Sequence, residues 1–168
     1  MLGAMSNLID KRNENTERIL NDVGAQVVAE IRQALADTGT NASGRTSASL
    51  RYTVEGGVLE VLGRPAFGTV EHGRKAGRVP RNFVSIIAQW IVDKGLTLDI
   101  RPVIRPTSRD AYTRALHRAA GAIAWKIRTE GSKLYRDGGR DDIYTPAVKR
   151  AAEAIGQYLN DVAISYLE

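Results

Sequence analysis

A chain of 168 residues, 43% hydrophobic and 26% charged, has the composition of a folded globular protein rather than a disordered one, and no apolar run reaches the roughly 18 residues a membrane helix needs. Cysteine is absent, which excludes a disulfide framework, a thiolate metal site and a cysteine nucleophile. The formal charge of +5 is uneven: Arg74 to Arg118 holds ten Lys/Arg against three Asp/Glu, so the rest of the chain is net acidic. Such a basic stretch is suited to phosphates or to an acidic protein face, both favoured by the same Coulombic attraction.

The length suits one domain over 1–168, which removes roughly 70% of the extended-chain surface from water. Met1 to Asp10 has no basic segment leading into an apolar one, so no secretory signal is expected and synthesis is expected in the cytoplasm. Over 6–38, Leu20, Val23, Val27, Ile31 and Leu35 recur every three or four residues, the stripe of an amphipathic helix. Gly39 suits the left-handed position after its end, and the small polar residues of 40–49 read as a flexible connector.

Residues 48–63 carry the clearest local signal. Leu50 to Glu55 and Val58 to Gly63 flank Gly56-Gly57, a β-hairpin pattern in which Val54 opposes Leu59 and Tyr52 opposes Val61 on one apolar face. Thr53 then opposes Glu60 on the other. A lone hairpin is marginal in water, so helices or strands of other copies are expected to cover or extend it.

Residues 64–82 contain three glycines and two prolines without a sustained period, and predict a long loop. Residues 83–131 then hold two helices and a connecting segment. Asn82 is placed to cap the first, whose Phe83, Ile86, Ile87, Trp90 and Ile91 share a face, with Gly95 just beyond its end. Leu96 to Pro106, with alternating Leu98, Ile100 and Val103, predicts an edge strand or extended crossing. Thr107, with Asp110 three residues on, resembles the start of a capping box for a helix to Glu130 with the stripe Leu116, Ala119, Ala120, Ile123 and Ile127. Ser132 to Tyr144 reads as irregular. Thr145 as N-cap and Pro146 at N1 open a last helix over 145–167, with Val148, Ala152, Ile155, Leu159, Val162 and Tyr166 as its buried stripe. The sum is an α+β fold: a hairpin-based antiparallel sheet packed with about four helices, the first and last of them long.

Catalytic equipment is sparse. His72 lies in a glycine-rich loop and His117 among arginines, neither with an activating Ser or carboxylate in pattern, so both read as packing or surface residues. Asp137, Asp141 and Asp142 lack the spacing of a calcium loop, and Gly73 to Arg78 lacks the Gly-Lys-Ser/Thr ending of a phosphate loop. No metal or other cofactor is expected, and neither is enzymatic turnover. Arg101, Arg105, Arg114 and Arg118 could track a phosphate backbone or face an acidic partner; few aromatics and no recognition-helix motif accompany them.

Phe67-Gly68-Thr69-Val70-Glu71-His72-Gly73-Arg74, followed by a Gly/Pro loop, Ile86 to Trp90 and Lys94-Gly95-Leu96, resembles the central signature of the head-tail joining, or tail-completion, proteins of tailed bacteriophages. The likeness continues through Ile123-Ala124, Ile127 and Glu130-Gly131-Ser132, and spans roughly 48–131. It implies a structural virion subunit of the neck or tail, made in the host cytoplasm. Such a subunit joins head to tail as a homomeric ring around the DNA channel, beside other neck, connector or tail proteins and with no membrane. Head-to-tail contacts close such a ring when the rotation closes. The expected subunit contacts are Phe67, Val70, Glu71, Arg74, Lys75, Arg78 and Val79, with Glu71 and the Asp137 to Asp142 loop receiving Arg74, Lys75 or Arg78 of the next copy. The alternative is a DNA-binding protein using the basic surface of 74–118.

Overall fold

The computed structural model describes residues 2–99 and 110–165, the first eleven of these as backbone alone. The fold is α+β, as the pattern predicts. Its elements are α1 (Leu2–Asp37), α2 (Arg45–Ala48), β1 (Arg51–Glu55), β2 (Val58–Leu62), α3 (Thr69–His72), α4 (Phe83–Asp93), α5 (Ala111–Glu130), α6 (Lys133–Arg136) and α7 (Thr145–Ile164). Among the described residues four helices exceed two turns (α1, α4, α5 and α7), and β1 and β2 form a two-stranded sheet. The backbone divides into two compact units. One comprises Met1–Asn41, Arg45–Phe67 and Asp141–Glu168; the other comprises Ala42–Gly44 and Gly68–Arg140.

In the first unit α1 is the spine, touching β1, β2 and α7. Its expected stripe is buried at Leu20, Val27, Ile31 and Leu35, joined by Val28. The hairpin register is the one the apolar pattern requires: Tyr52 opposes Val61, Thr53 opposes Glu60 and Val54 opposes Leu59. Gly56 and Gly57 both take positive φ (57° and 78°), the requirement of a tight type I′ turn whose twist matches the strands. Gly24 lets the sheet come close. A Cβ built there would stand 2.6 Å from Tyr52 Cδ2 and 2.7 Å from Leu59 Cδ1.

The expected flexible connector is partly ordered. Residues 45–48 form α2, because Arg32 of α1 donates to the carbonyls of Ser47 (3.2 Å) and Leu50 (2.8 Å). Gly39 does end α1, with φ at 61°.

α7 departs from its expected face. Ala147 is buried, and Ala147, Ala151 and Ala154 line a small gap with Val23 and Val27 of α1. The predicted stripe is only partly inside: Val148 is 51% and Leu159 56% exposed and Ala152 is exposed, whereas Ile155 and Val162 are half-buried. Small residues win the contact because a helix packed through alanines approaches its neighbour more closely, and two hydrogen-bonded pairs hold that face. Thr16 meets Tyr158 at 3.1 Å, and Arg150 donates to Glu30 at 2.6 and 3.0 Å. α7 also starts one residue early, with Tyr144 rather than Thr145 at the N-cap and Pro146 in the first turn.

The second unit is built on α4 against α5, around Phe83, Ile87, Ile91, Ala120 and Ala124. Val79, Leu98, Leu116, Ala119, Ile123 and Ile127 pack partly buried against that core. The start of α5 differs from expectation: Asp110 itself is the N-cap, accepting from Thr113 N at 2.7 Å, while Thr107 lies outside the described residues. That bond to the amide and another to the Thr113 hydroxyl hold the Asp110 carboxyl below its ordinary range. Asn82 occupies the N-cap of α4 without a capping bond from its side chain. Gly95, at φ 61°, ends α4 as expected. The expected edge strand over 96–106 falls mostly outside the described residues, and residues 96–99 are not strand. Tyr166 likewise lies outside them.

Candidate functional site

The segment predicted as a long loop is braced by its own chain. Residues 69–72 form the single turn α3, and residues 133–136, expected to be irregular, form α6. Ser132 couples the two stretches. Its hydroxyl caps α6 by accepting from Tyr135 N (3.2 Å) and also accepts from Arg74 N (2.8 Å), while Ser132 N donates to Arg74 O (2.8 Å). Gly77 N reaches Arg128 O (2.8 Å) and Arg140 N reaches Glu71 O (2.9 Å), so backbone bonds run along much of the segment.

Glycines make this bracing possible. At Gly73, with φ at 69°, a Cβ would stand 2.4 Å from Tyr135 N; at Gly131, with φ at 86°, it would stand 2.9 Å from Arg74 O. Positive φ and backbone contact together leave no room for a side chain.

The expected contact residues divide accordingly. Glu71 is fully buried, at 0% exposure, which corrects its expected role as acceptor for a neighbouring copy's arginine: the carboxylate is enclosed by its own chain. Arg74 is half-buried, its guanidinium 5.3 Å from the Phe83 ring centroid and donating to Arg78 O at 2.8 Å. Its Nε is buried without a hydrogen-bond partner. Phe67 is half-buried with its ring 5.3 Å from that of Tyr144 at a 43° tilt. Val70 and Val79 are half-buried; Lys75 and Arg78 are exposed. Asp137 pairs with Lys133 of its own turn rather than standing free for a neighbour. Asp141 and Asp142 are exposed.

Of the four arginines expected to meet DNA or an acidic partner, Arg101 and Arg105 lie outside the described residues. Arg118 is exposed and donates to Asp99 O at 2.7 Å, and Arg114 is half-buried on the same helix. His72 and His117 are exposed. Among the described residues no group of three or more His, Cys, Asp or Glu could hold a metal ion, and no helix is long and apolar enough to cross a membrane.

Two surface grooves flank the α4 and α5 pair. The first, about 460 Å³, is lined by Val79, Phe83, Val84, Ala124 and Trp125 and rimmed by Arg78, Arg81 and Arg128. Among the described residues no carboxylate pairs with these three arginines. Trp125 is 65% exposed. The second groove, about 550 Å³, has walls of Ile86, Trp90, Ile123 and Ile127 and a rim of Lys126, Lys133 and Arg136. Those rim cations are engaged in exposed pairs with Glu130 and Asp137.

Sequence reasoning missed both grooves. The available signal for the first was Trp125, a large aromatic lying off the Leu116, Ala120, Ile123, Ile127 stripe of its helix. For the second it was the width of the α4 face, too broad for one partner helix to cover: Ile86 and Trp90, expected inside, are 45% and 40% exposed.

No family model matches the chain, and no solved structure matches it. It is similar to a serine/threonine-protein kinase, TEL1 of Gibberella zeae, at 32% identity over 105 residues, which are 62% of this chain and 3% of that protein.

Proposed function

We propose that the chain is a structural virion protein of a tailed phage, a neck or tail-completion subunit that joins head to tail as a homomeric ring around the DNA channel. It acts by assembly rather than turnover, in the company of other neck, connector or tail proteins, with DNA passing through the lumen. The observation that carries this reading is the Phe67 to Leu96 block, whose residues resemble the family signature and whose Lys75 and Arg78 stand exposed on a braced support. A rigid support suits a contact surface, because little ordering entropy is lost when a partner docks. A match to 3% of a kinase carries no argument about activity.

The test is genetic and morphological. Removing the reading frame from the phage that encodes it should leave filled heads and separate tails in the same lysate, with joining restored when the protein is supplied in trans. Joined, infectious particles without the protein would overturn the reading.

The groove around Trp125 favours a second reading, a DNA-binding protein. Three arginines without carboxylate partners beside an exposed aromatic suit phosphates and a base face. Binding to duplex or single-stranded DNA that weakens steeply with salt, and is lost in the Arg78→Glu, Arg81→Glu, Arg128→Glu triple variant, supports it. Absence of binding at low salt removes it.

A further inference from the structure

Two helical faces that the sequence marks for burial keep apolar residues exposed within their own units. On α7, Val148, Ala152, Ile155, Leu159 and Val162 follow one another at steps of four and three; Val148 and Leu159 are more than half exposed and Ala152 is exposed, while Ile155 and Val162 are half-buried. On α4 and α5, Ile86, Trp90, Ile123 and Ile127 form an apolar groove of about 550 Å³. Apolar surface left open on this scale marks an interaction site more often than a tolerated accident.

A groove between two helices accepts a third helix that presents anchors at i, i+4 and i+7, the spacing of Val148, Ala152 and Ile155, and again of Ile155, Leu159 and Val162. Charge points the same way. The unit that carries the groove holds fifteen Lys/Arg against six Asp/Glu, a net of +9, whereas the unit that carries α7 holds nine against thirteen, a net of −4. Opposite net charges on two parts of one chain draw the acidic part of one copy towards the basic part of the next and disfavour like-to-like pairing. Within α7, Lys149 and Arg150 lie near Val148, whereas Asp161 and the partial negative charge of the helix C-terminus lie near Leu159 and Val162. The rim of Lys126, Lys133 and Arg136, which keeps one positive charge over its Glu130 and Asp137 partners, therefore prefers the C-terminal half.

We propose that the occupant of the α4 and α5 groove is α7 of a second copy of this chain, seated through the exposed Leu159, with Ile155 and Val162, half-buried in their own unit, at its flank. The contact joins two different surfaces, so it repeats from copy to copy and forms a ring or an open filament according to the rotation. Only the closure into a ring rests on the function proposed above; the contact itself does not.

Because the chain has no cysteine, the contact can be read by disulfide trapping between single-cysteine variants. Leu159→Cys and Ile86→Cys both replace exposed side chains, so each variant should fold; far-ultraviolet circular dichroism and an unchanged urea midpoint check this. Mixed under mild oxidation, the two should give a band of two chain masses, many-fold stronger than from either alone, and a double variant should give a ladder. Failure of the mixture to cross-link, or equal self-linking of Leu159→Cys through two α7 helices, overturns the proposal. The two readings fail separately. Rings formed by the unaltered protein without this cross-link would discard the contact and spare the ring, whereas cross-linked open filaments would keep the contact and count against the ring.

Discussion

Gly24 of α1 lies against the ring of Tyr52: a Cβ at position 24 would come within 2.6 Å of Tyr52 Cδ2 and 2.8 Å of Tyr52 Cγ. A helix glycine ordinarily costs about 1 kcal/mol against alanine. Here that cost is outweighed by the close approach of helix to sheet. Gly24→Ala should therefore destabilise the protein by about 1 to 2 kcal/mol, the overpacking penalty of roughly 1 to 3 kcal/mol less part of the gain in helix propensity. Urea unfolding gives the number, and equal or greater stability would show that the sheet sits further off.

Two other glycines separate backbone strain from collision. Gly57 has φ at 78° and nothing within 4 Å of a built Cβ, whereas Gly73 has φ at 69° and the Tyr135 backbone nitrogen at 2.4 Å. Gly57→Ala should cost about 1 to 2 kcal/mol, the strain of a left-handed L-residue alone. Gly73→Ala should cost clearly more, since the obstruction is main chain and cannot rotate away. A reversed order in thermal melts would contradict the bracing of α3 against α6.

Glu71 and its neighbours should differ in what they disturb. Removing a buried carboxylate leaves the groups around it short of a partner, an effect of about 1 to 3 kcal/mol or more. Glu71→Ala should lower the melting temperature. Lys75→Glu and Arg78→Glu are exposed changes and should leave folding within about 0.5 kcal/mol, while weakening assembly into higher-order particles. Light scattering beside a melting curve distinguishes the two classes, and normal assembly by the charge-reversed protein would remove Lys75 and Arg78 from the contact.

The Arg150 hydrogen bonds, and after them the bond from Gln26, hold the Glu30 carboxyl below its ordinary range. A carboxylate with a depressed folded-state pKa adds stability that is complete above the unfolded value of about 4.3 and disappears as pH falls through the folded one. With the Arg150 side chain 56% exposed, solvent screening keeps the contribution to well under about 1 kcal/mol. Glu30→Gln should flatten the acid limb of the stability profile between about pH 5 and pH 3 and leave the neutral limb almost unmoved.

Local features were readable where one residue type answers one backbone demand. Gly56-Gly57 between alternating strands implied the turn and its register, and Gly39 and Gly95 marked helix ends. Long-range features were less readable. Periodicity identifies an apolar stripe but not which of two candidate faces meets a partner, so α7 was expected to bury Val148 and Leu159 when Ala147 takes that place, with Ala151 half-buried beside it. The segment after Phe67 read as a long loop because its partners, Ser132 and Arg140, lie more than fifty residues later and bond to its backbone through a hydroxyl and their own main chain. Glu71 shows the same limit: charge suggested an exposed partner, and only tertiary packing places it inside.

The arrangement of α1 and α7 also sets an order of events during synthesis. The first long helix and the last belong to one compact unit, and the whole segment from Gly68 to Arg140 is translated between them. At ordinary ribosomal rates α1 and the hairpin wait on the order of several seconds for their missing wall. The helix that completes this unit is also the one whose stripe stays partly exposed, so a nascent chain can offer that stripe only after the basic unit has been made.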